Sequence, residues 1–321
     1  MPDVTSFISR SFQEKAGWSR IGFAFSVLIV GVAGATLFYI LRDIDISRVL
    51  DAIGSKPMHV VALAAGFIGV SYVMLTFYDF FSLHTIGCGH VPYRVAALAS
   101  FTSYSIGHNL GATVFTAGAV RWRIYSAWKL SVADVAKMAF VTGLTFWLGN
   151  IVVLGIGMVV EPEAAGAVDH LPALANQAIG AAGLAIIAGY VLWLIPRPRT
   201  VGIGTWFVTL PGAPLTLVQI GIGVIDLCAG GLALYVLLPV DPAVDFTAVL
   251  VIYVAATLLG FLSHSPGSLG VFEAAVLIAL PQFAREELVA SLLLFRCLYF
   301  VLPLILALLA MAARELRLSS R

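Results

Sequence analysis

The amino-acid sequence predicts an all-α polytopic membrane protein with about six full crossings and two interrupted, re-entrant helical hairpins, arranged as inverted repeats. Two observations predict it. Apolar residues make up 60% of the 321 and charged residues only 11%, with a mean hydropathy of +1.01. A soluble domain carries about a quarter of its residues charged. The apolar residues also cluster into runs long enough to cross a hydrocarbon core of about 30 Å.

Taken in order, a weakly basic arm (Arg10, Lys15, Arg20) precedes the first run, 22–41. At about 20 residues it exceeds a signal-peptide core and reads as an uncleaved anchor. Further full-length runs cover 58–83, 135–160, 173–195, 215–238 and 288–313. Two other regions, 93–120 and 246–282, are apolar but broken, the first at "SIGHNLG" (105–111) and the second at "SHSPGSLG" (263–270). Arms of about 11–16 residues beside each break are short for a crossing. The domain reading is a cytoplasmic arm 1–21, a transmembrane domain 22–313 and a cytoplasmic tail 314–321.

Loop charge sets the expected path. Cytoplasmic loops are enriched in Lys and Arg. If each broken region returns to its own side, Arg94, the "RWRIYSAWK" loop (121–129), Arg197, Arg199 and the tail arginines all fall inside. The acidic loops with Glu161, Glu163, Asp169, Asp241 and Asp245 then fall outside. Two short complete crossings per region give the same parity, so both paths stay open. An odd number of crossings separates the two broken units, so they are inverted relative to each other. Discontinuous helices at matching places in inverted repeats are a transporter pattern, with the binding site near the midplane.

The breaks suggest the chemistry. Irregular backbone at membrane depth survives only inside protein or beside a wet cavity. Ser265-Pro266 resembles an N-cap and first helical position. Gly267 and Gly270 permit close approach of backbone or ligand, and a new helix start offers unpaired amides to an anion such as a lipid phosphate. Gly111, beside His108 and Asn109, offers a similar end from the other side. Asp79, Asp226, Glu273 and Arg296 lie within apolar runs, where ionisable residues face a bundle interior or a wet path. The alternative for each is a structural ion pair. Asp79 is nearer a helix end, from which a carboxylate reaches the interface. Arg296 is expected to pair with Glu273 or Asp226. Arg121 and Arg123 read as positive-inside anchors or as collectors of anionic headgroups. Cys88, Cys228 and Cys297 read as buried thiols. No metal-ligand spacing, phosphate loop or nucleic-acid motif is present, so neither cofactor nor nucleic acid is expected.

The stretch "SHSPGSLGVFE" (263–273) resembles the S-H-x-P-G-G-L-G-V-F-E signature of the lysylphosphatidylglycerol synthase/flippase membrane region, as in the multiple peptide resistance factor. Tyr78-Asp79, "GHNLG" followed by "RWRIY", and "FRCLYFVLPL" (295–304) are similar to further motifs of that family. Ser268 stands where the family usually has glycine. The resemblance spans about residues 20–313 and implies a stand-alone flippase-like protein of the cell membrane. It implies a phospholipid or lipid-linked substrate, an anionic, aminoacylated or other phosphate-bearing lipid, with Ser263, His264 and Ser265 beside the path. The chain ends eight residues after its last apolar run, without room for the family's soluble aminoacyl-transferase domain. Translocation is therefore expected rather than synthesis. The competing readings are a membrane-embedded lipid enzyme, with His264 and His108 as candidate bases and Glu273 as acid, and a subunit that docks a separate lipid-modifying enzyme. Self-association stays open.

Overall fold

The computed structural model describes residues 42, 44–111, 113–196, 199–203 and 206–319. The expected arm and first crossing, 1–41, lie outside the described residues.

A short amphipathic helix, α1 (Ile46–Ser55), starts where the Asp45 carboxylate accepts the Ser47 amide at 2.9 Å. Pro57 ends it and opens α2 (Met58–Thr85). Proline suits a helix start because its missing N–H has no partner there anyway. The same device opens α3 (Tyr93–Leu110) after Pro92 and α7 (Ala173–Leu194) after Pro172. Between them run α4 (Thr113–Tyr125), α5 (Val132–Val160) and α6 (Pro162–Asp169). Ser131 and Asp134 cap α5 reciprocally, with Ser131 N donating to the carboxylate at 2.9 Å and Asp134 N donating to Ser131 Oγ at 3.2 Å. The second half contains α8 (Ala213–Leu237), α9 (Phe246–Ser263), α10 (Val271–Ala279), α11 (Arg285–Arg296) and α12 (Leu302–Ser319). A small antiparallel hairpin, Thr200–Ile203 with Trp206–Thr209, is an addition to the all-α expectation.

Six described helical segments are long and apolar enough to cross a membrane. Five match expected crossings. The sixth is α9, which was expected as a short arm. At 18 residues, α3 and α9 are each longer than the 11–16 expected. The reason is visible in α3, which runs unbroken through Ile106-Gly107-His108-Asn109 and stops only at Gly111, where φ is +72°. Polar and glycine residues read as a break are carried in helix because their neighbours bury them.

Contacts at the helix ends give the path. Arg123 on α4 pairs with Glu315 on α12 at 3.0 Å, and His90 Nε2 lies 3.2 Å from the Trp128 carbonyl. These place the start of α3, the end of α4 and the end of α12 at one end of the bundle. At the other end, Lys56 Nζ donates to the Leu237 and Leu238 carbonyls at 2.7 and 3.2 Å, and Ser291 Oγ donates to Leu237 at 2.5 Å. Thus α3 and α4 form a hairpin based at the first end, and α9 and α10 form one based at the opposite end. Along the bundle, the units α2–α5 and α8–α12 run in opposite senses.

The last crossing carries a π turn at Cys297–Val301, just before Pro303. Proline has no N–H, so the carbonyl four residues earlier, on Tyr299, loses its helical donor. The Tyr72 hydroxyl replaces it at 3.0 Å, and Asn109 Nδ2 donates to the adjacent Phe300 carbonyl at 3.0 Å. Cys297 is exposed rather than buried, since it faces outward from this helix.

Where α5 meets α8, Gly149 faces Gly223 so closely that a β-carbon on Gly149 would sit 2.8 Å from Gly223 Cα. Small residues drive such approach in membranes, where lipid supplies no hydrophobic force between helices. Gly149→Ala is expected to destabilise by about 1–3 kcal/mol through overpacking. Gly189→Ala, where no atom lies within 4 Å, is the control and should leave the melting temperature in detergent unchanged.

Candidate functional site

The two breaks meet inside the bundle. A β-carbon on Gly111 would lie 3.1 Å from the His264 carbonyl and 3.2 Å from Pro266 Cα. The tip of the α3–α4 hairpin therefore rests directly on the tip of the α9–α10 hairpin. The second tip differs from the expected N-cap at Ser265. Pro266–Ser268 forms a single tight turn, Ser265 makes no capping bond, and the α-helix begins at Val271. His264 adopts φ +55°, and its Nδ1 lies 2.9 Å from the Leu262 carbonyl. Ser263 Oγ donates to Gly260 O at 2.7 Å and receives the Ser265 amide at 3.2 Å, which fastens the turn.

The helix start beyond the break already holds an anion, Glu273. Its carboxylate accepts the Gly270 amide at 2.8 Å and takes Arg296 Nε at 2.8 Å, with Arg296 Nη2 also bonded to it. Arg296 Nη1 donates to the Gly267 carbonyl at 3.0 Å. Arg296 thus pairs with Glu273, one of the two acids expected. The same network ties the tip turn to α11.

A second ion pair holds the first hairpin. Asp79 is fully buried, not reaching an interface, and Arg121 is 4% exposed, not a surface anchor. Arg121 Nη2 donates to Asp79 Oδ1 at 2.7 Å and Nε donates to both carboxylate oxygens at 3.1 and 3.0 Å. Tyr125 OH donates to Oδ2 at 2.9 Å, and Arg121 lies 4.7 Å over the Tyr104 ring. The burial follows from α4 folding back along α3, which brings the Arg121 and Tyr125 side chains to Asp79 on α2 and which no loop-charge rule sees. Arg123, two residues away on α4, points instead to the bundle end and Glu315.

Beside the contact between the tips lies a cavity of about 270 Å³. Of the residues singled out in the sequence, His108, Gly111, Arg121, Asp226, His264 and Ser265 line it. Asp79, Asn109, Ser263, Gly267, Gly270, Glu273, Arg296 and Arg123 do not line it. Asp226 is 7% exposed. Its Oδ1 accepts Ser71 Oγ at 2.5 Å and its Oδ2 accepts Tyr78 OH at 3.2 Å. Among the described residues, no Lys or Arg pairs with it. Tyr78, Tyr104, Tyr253 and Tyr299 complete the polar wall. Sequence reading missed these rings. Tyr78 and Tyr299 lie inside motifs already noted, but a tyrosine in an apolar run reads as packing. The lining also includes apolar residues exposed at the protein surface, Val114 at 62% and Phe115 at 81%. No group of three or more metal-ligating side chains occurs among the described residues.

These features define a multi-pass membrane protein of the all-α class with a polar cavity inside its helical bundle. The chain is 34% identical over 248 residues to the uncharacterized protein slr0712 of Synechocystis, covering 77% of each chain. It is 30% identical over 278 residues to the inner membrane protein YbhN of Escherichia coli, covering 83% of this chain and 84% of that one. The chain belongs to the family of YbhN-like membrane proteins. A 71-residue stretch, 22% of the chain, is 38% identical to 8% of the phosphatidylglycerol lysyltransferase of Staphylococcus haemolyticus. No protein-family model matches the chain.

Breaking one member of a buried pair leaves the other charge unpaired, at a cost of about 3–5 kcal/mol. Asp79→Asn and Arg121→Gln should each lower the melting temperature sharply. The double variant should recover most of the loss, because neither charge is then buried alone. A double variant no more stable than the worse single would exclude this pairing as the main effect.

Proposed function

We propose that the chain translocates a phosphate-bearing lipid between leaflets, as an integral protein of the inner or plasma membrane with both termini cytoplasmic. One observation carries the reading: a polar cavity at the meeting point of two inverted hairpins, open sideways through apolar residues. A headgroup fits the polar wall while its acyl chains leave past Val114 and Phe115 into lipid. Cavities built this way at the junction of inverted repeats suit alternating access, in which one unit rocks against the other around a fixed site. The 71-residue similarity to a phosphatidylglycerol lysyltransferase supports a phosphatidylglycerol-type lipid, plain or aminoacylated. It also supports a second reading, in which this chain is the membrane partner of a separate lipid-modifying enzyme.

The orientation rests on charge. The bundle end holding Arg94, Arg123, Lys129, Arg199 and Arg314 faces the cytoplasm, and the end holding Glu161, Glu163, Asp169, Asp241 and Asp245 faces outside. Each hairpin then enters the membrane and returns to its own side. In a cysteine-free background, a cysteine at Ser126 should react with an impermeant reagent from the cytoplasm and one at Ala243 from outside. Reaction of Ser126 from outside would overturn the topology.

Gly143 lines the cavity, and a β-carbon there meets no atom within 4 Å. Gly143→Phe should fill the space without disturbing the fold. In vesicles reconstituted with the protein, dithionite should quench labelled phosphatidylglycerol from both leaflets faster than in empty vesicles. Gly143→Phe should remove that acceleration with little change in melting temperature. Translocation at the wild-type rate by this variant would place the path elsewhere. No acceleration by the wild type alone, with product or transport restored by a synthase, would favour the second reading.

A further inference from the structure

The charges around the cavity do not balance. Arg121 is matched by Asp79, and Arg296 by Glu273. Asp226 remains, held by two neutral hydroxyls. An isolated carboxylate away from water is costly and is tolerated only with a proton, a cation or a paired base. The groups facing it are specific. From α2 come Ser71, Tyr72 and Tyr78; from α9, Tyr253; from the π turn, Tyr299; from α3, Tyr104 and His108; and from α4, Arg121. Arg121 is already committed to Asp79 by three bonds. His108 is packed between rings, 5.5 Å from Tyr104 and 6.5 Å from Tyr299 in a stacked arrangement. Four tyrosine rings with further aromatic walls (Phe295, Phe300, Phe146, Trp147) surround the space in front of the carboxyl. Aromatic faces carry negative potential and attract cations, ammonium groups above all.

We infer that Asp226 is a proton-for-ammonium exchange site, protonated when the cavity is empty and ionised when an amine-bearing lipid headgroup enters. This rests on the translocation reading and specifies the headgroup. In the exchange the carboxyl O–H bond breaks and the proton passes to water. The carboxylate then accepts ammonium N–H donors, so the carboxylate–ammonium pair carries the same zero net charge as the protonated carboxyl it replaces, and the lipid phosphate adds its own negative charge beside it. Ser71 and Tyr78 accommodate both forms. A hydroxyl donates to the ionised carboxylate and equally accepts from, or donates to, the protonated one. An amine-free anionic headgroup offers nothing to replace the proton.

Isothermal titration tests the exchange directly. Purified full-length protein in a neutral detergent is titrated with short-chain phosphatidylethanolamine in two buffers of different ionisation heat. The difference counts protons, and about one should be released per lipid bound. Binding should weaken as pH falls, because protons compete for the same oxygens. Short-chain phosphatidylglycerol should release none. Asp226→Asn should abolish the release and bind the amine lipid roughly tenfold more weakly. His108→Gln removes the other titratable ring of the wall and should keep the release. Loss of release in His108→Gln with retention in Asp226→Asn would overturn the assignment. So would zero release by the wild type. Should Asp226→Asn fail to fold, Tyr78→Phe serves instead. It removes one donor to the carboxylate, so proton release should persist with its pH midpoint moved upward, and an unmoved midpoint would count against Asp226. The two readings fail separately. Proton release without leaflet exchange in vesicles would end the translocation reading and leave the exchange site. Translocation of the amine lipid that is pH-independent and unchanged in Asp226→Asn would end the exchange site and leave translocation.

Discussion

Lipid offers no hydrogen-bond partners, so a helix interrupted within the membrane must find them inside the protein. Here the solution is contact between the two breaks. Gly111 at one tip lies against the His264 carbonyl and Pro266 at the other, so closely that a β-carbon there would press on backbone at 3.1–3.2 Å, and its φ of +72° disfavours a side chain as well. Because each hairpin ends on the other, neither tip faces lipid alone. The cavity is the space left beside that contact. Its position, its mixture of polar wall and apolar mouth, and its access from both units follow from where the hairpins stop.

Each hairpin is secured by one ion pair to a neighbouring helix. Arg121 fixes α4 to Asp79 on α2, and Glu273 fixes α10 to Arg296 on α11. The pairs are not interchangeable. Asp79 and Arg121 are almost wholly excluded from solvent and share their site with Tyr104 and Tyr125, whereas Glu273 also caps its own helix. In that role it satisfies the amide of Gly270, the donor that seemed from sequence to be free for a ligand. The protein supplies its own anion at that helix start, which moves the interest from backbone amides to the side chains of the cavity wall.

The π turn before Pro303 shows the same economy. A proline in the middle of a crossing frees a carbonyl, and the hydroxyl of Tyr72 occupies it. Asn109 takes the next carbonyl and so connects the first hairpin tip to the last crossing. The distortion places Tyr299 in the cavity wall and carries Arg296, one residue before the turn, toward the second tip. A straight helix would aim these two side chains differently relative to each other.

The helical membrane class and five of the described crossings were legible in the sequence, because apolar length is a local property. The pairing of Arg296 with an acid was legible too, since a lone charge at depth demands a partner. The tertiary structure decided the rest. It carried α3 straight through glycine and polar residues to Gly111, made α9 long enough to cross, and gave Arg121 and Asp79 to each other across 42 residues of chain. It also gathered Tyr78, Tyr104, Tyr253 and Tyr299 from four separate segments around Asp226. None of these has a local signature. A tyrosine or arginine in a helix reads alike whether it faces lipid, packing or a cavity, and only the arrangement of the neighbouring helices determines which.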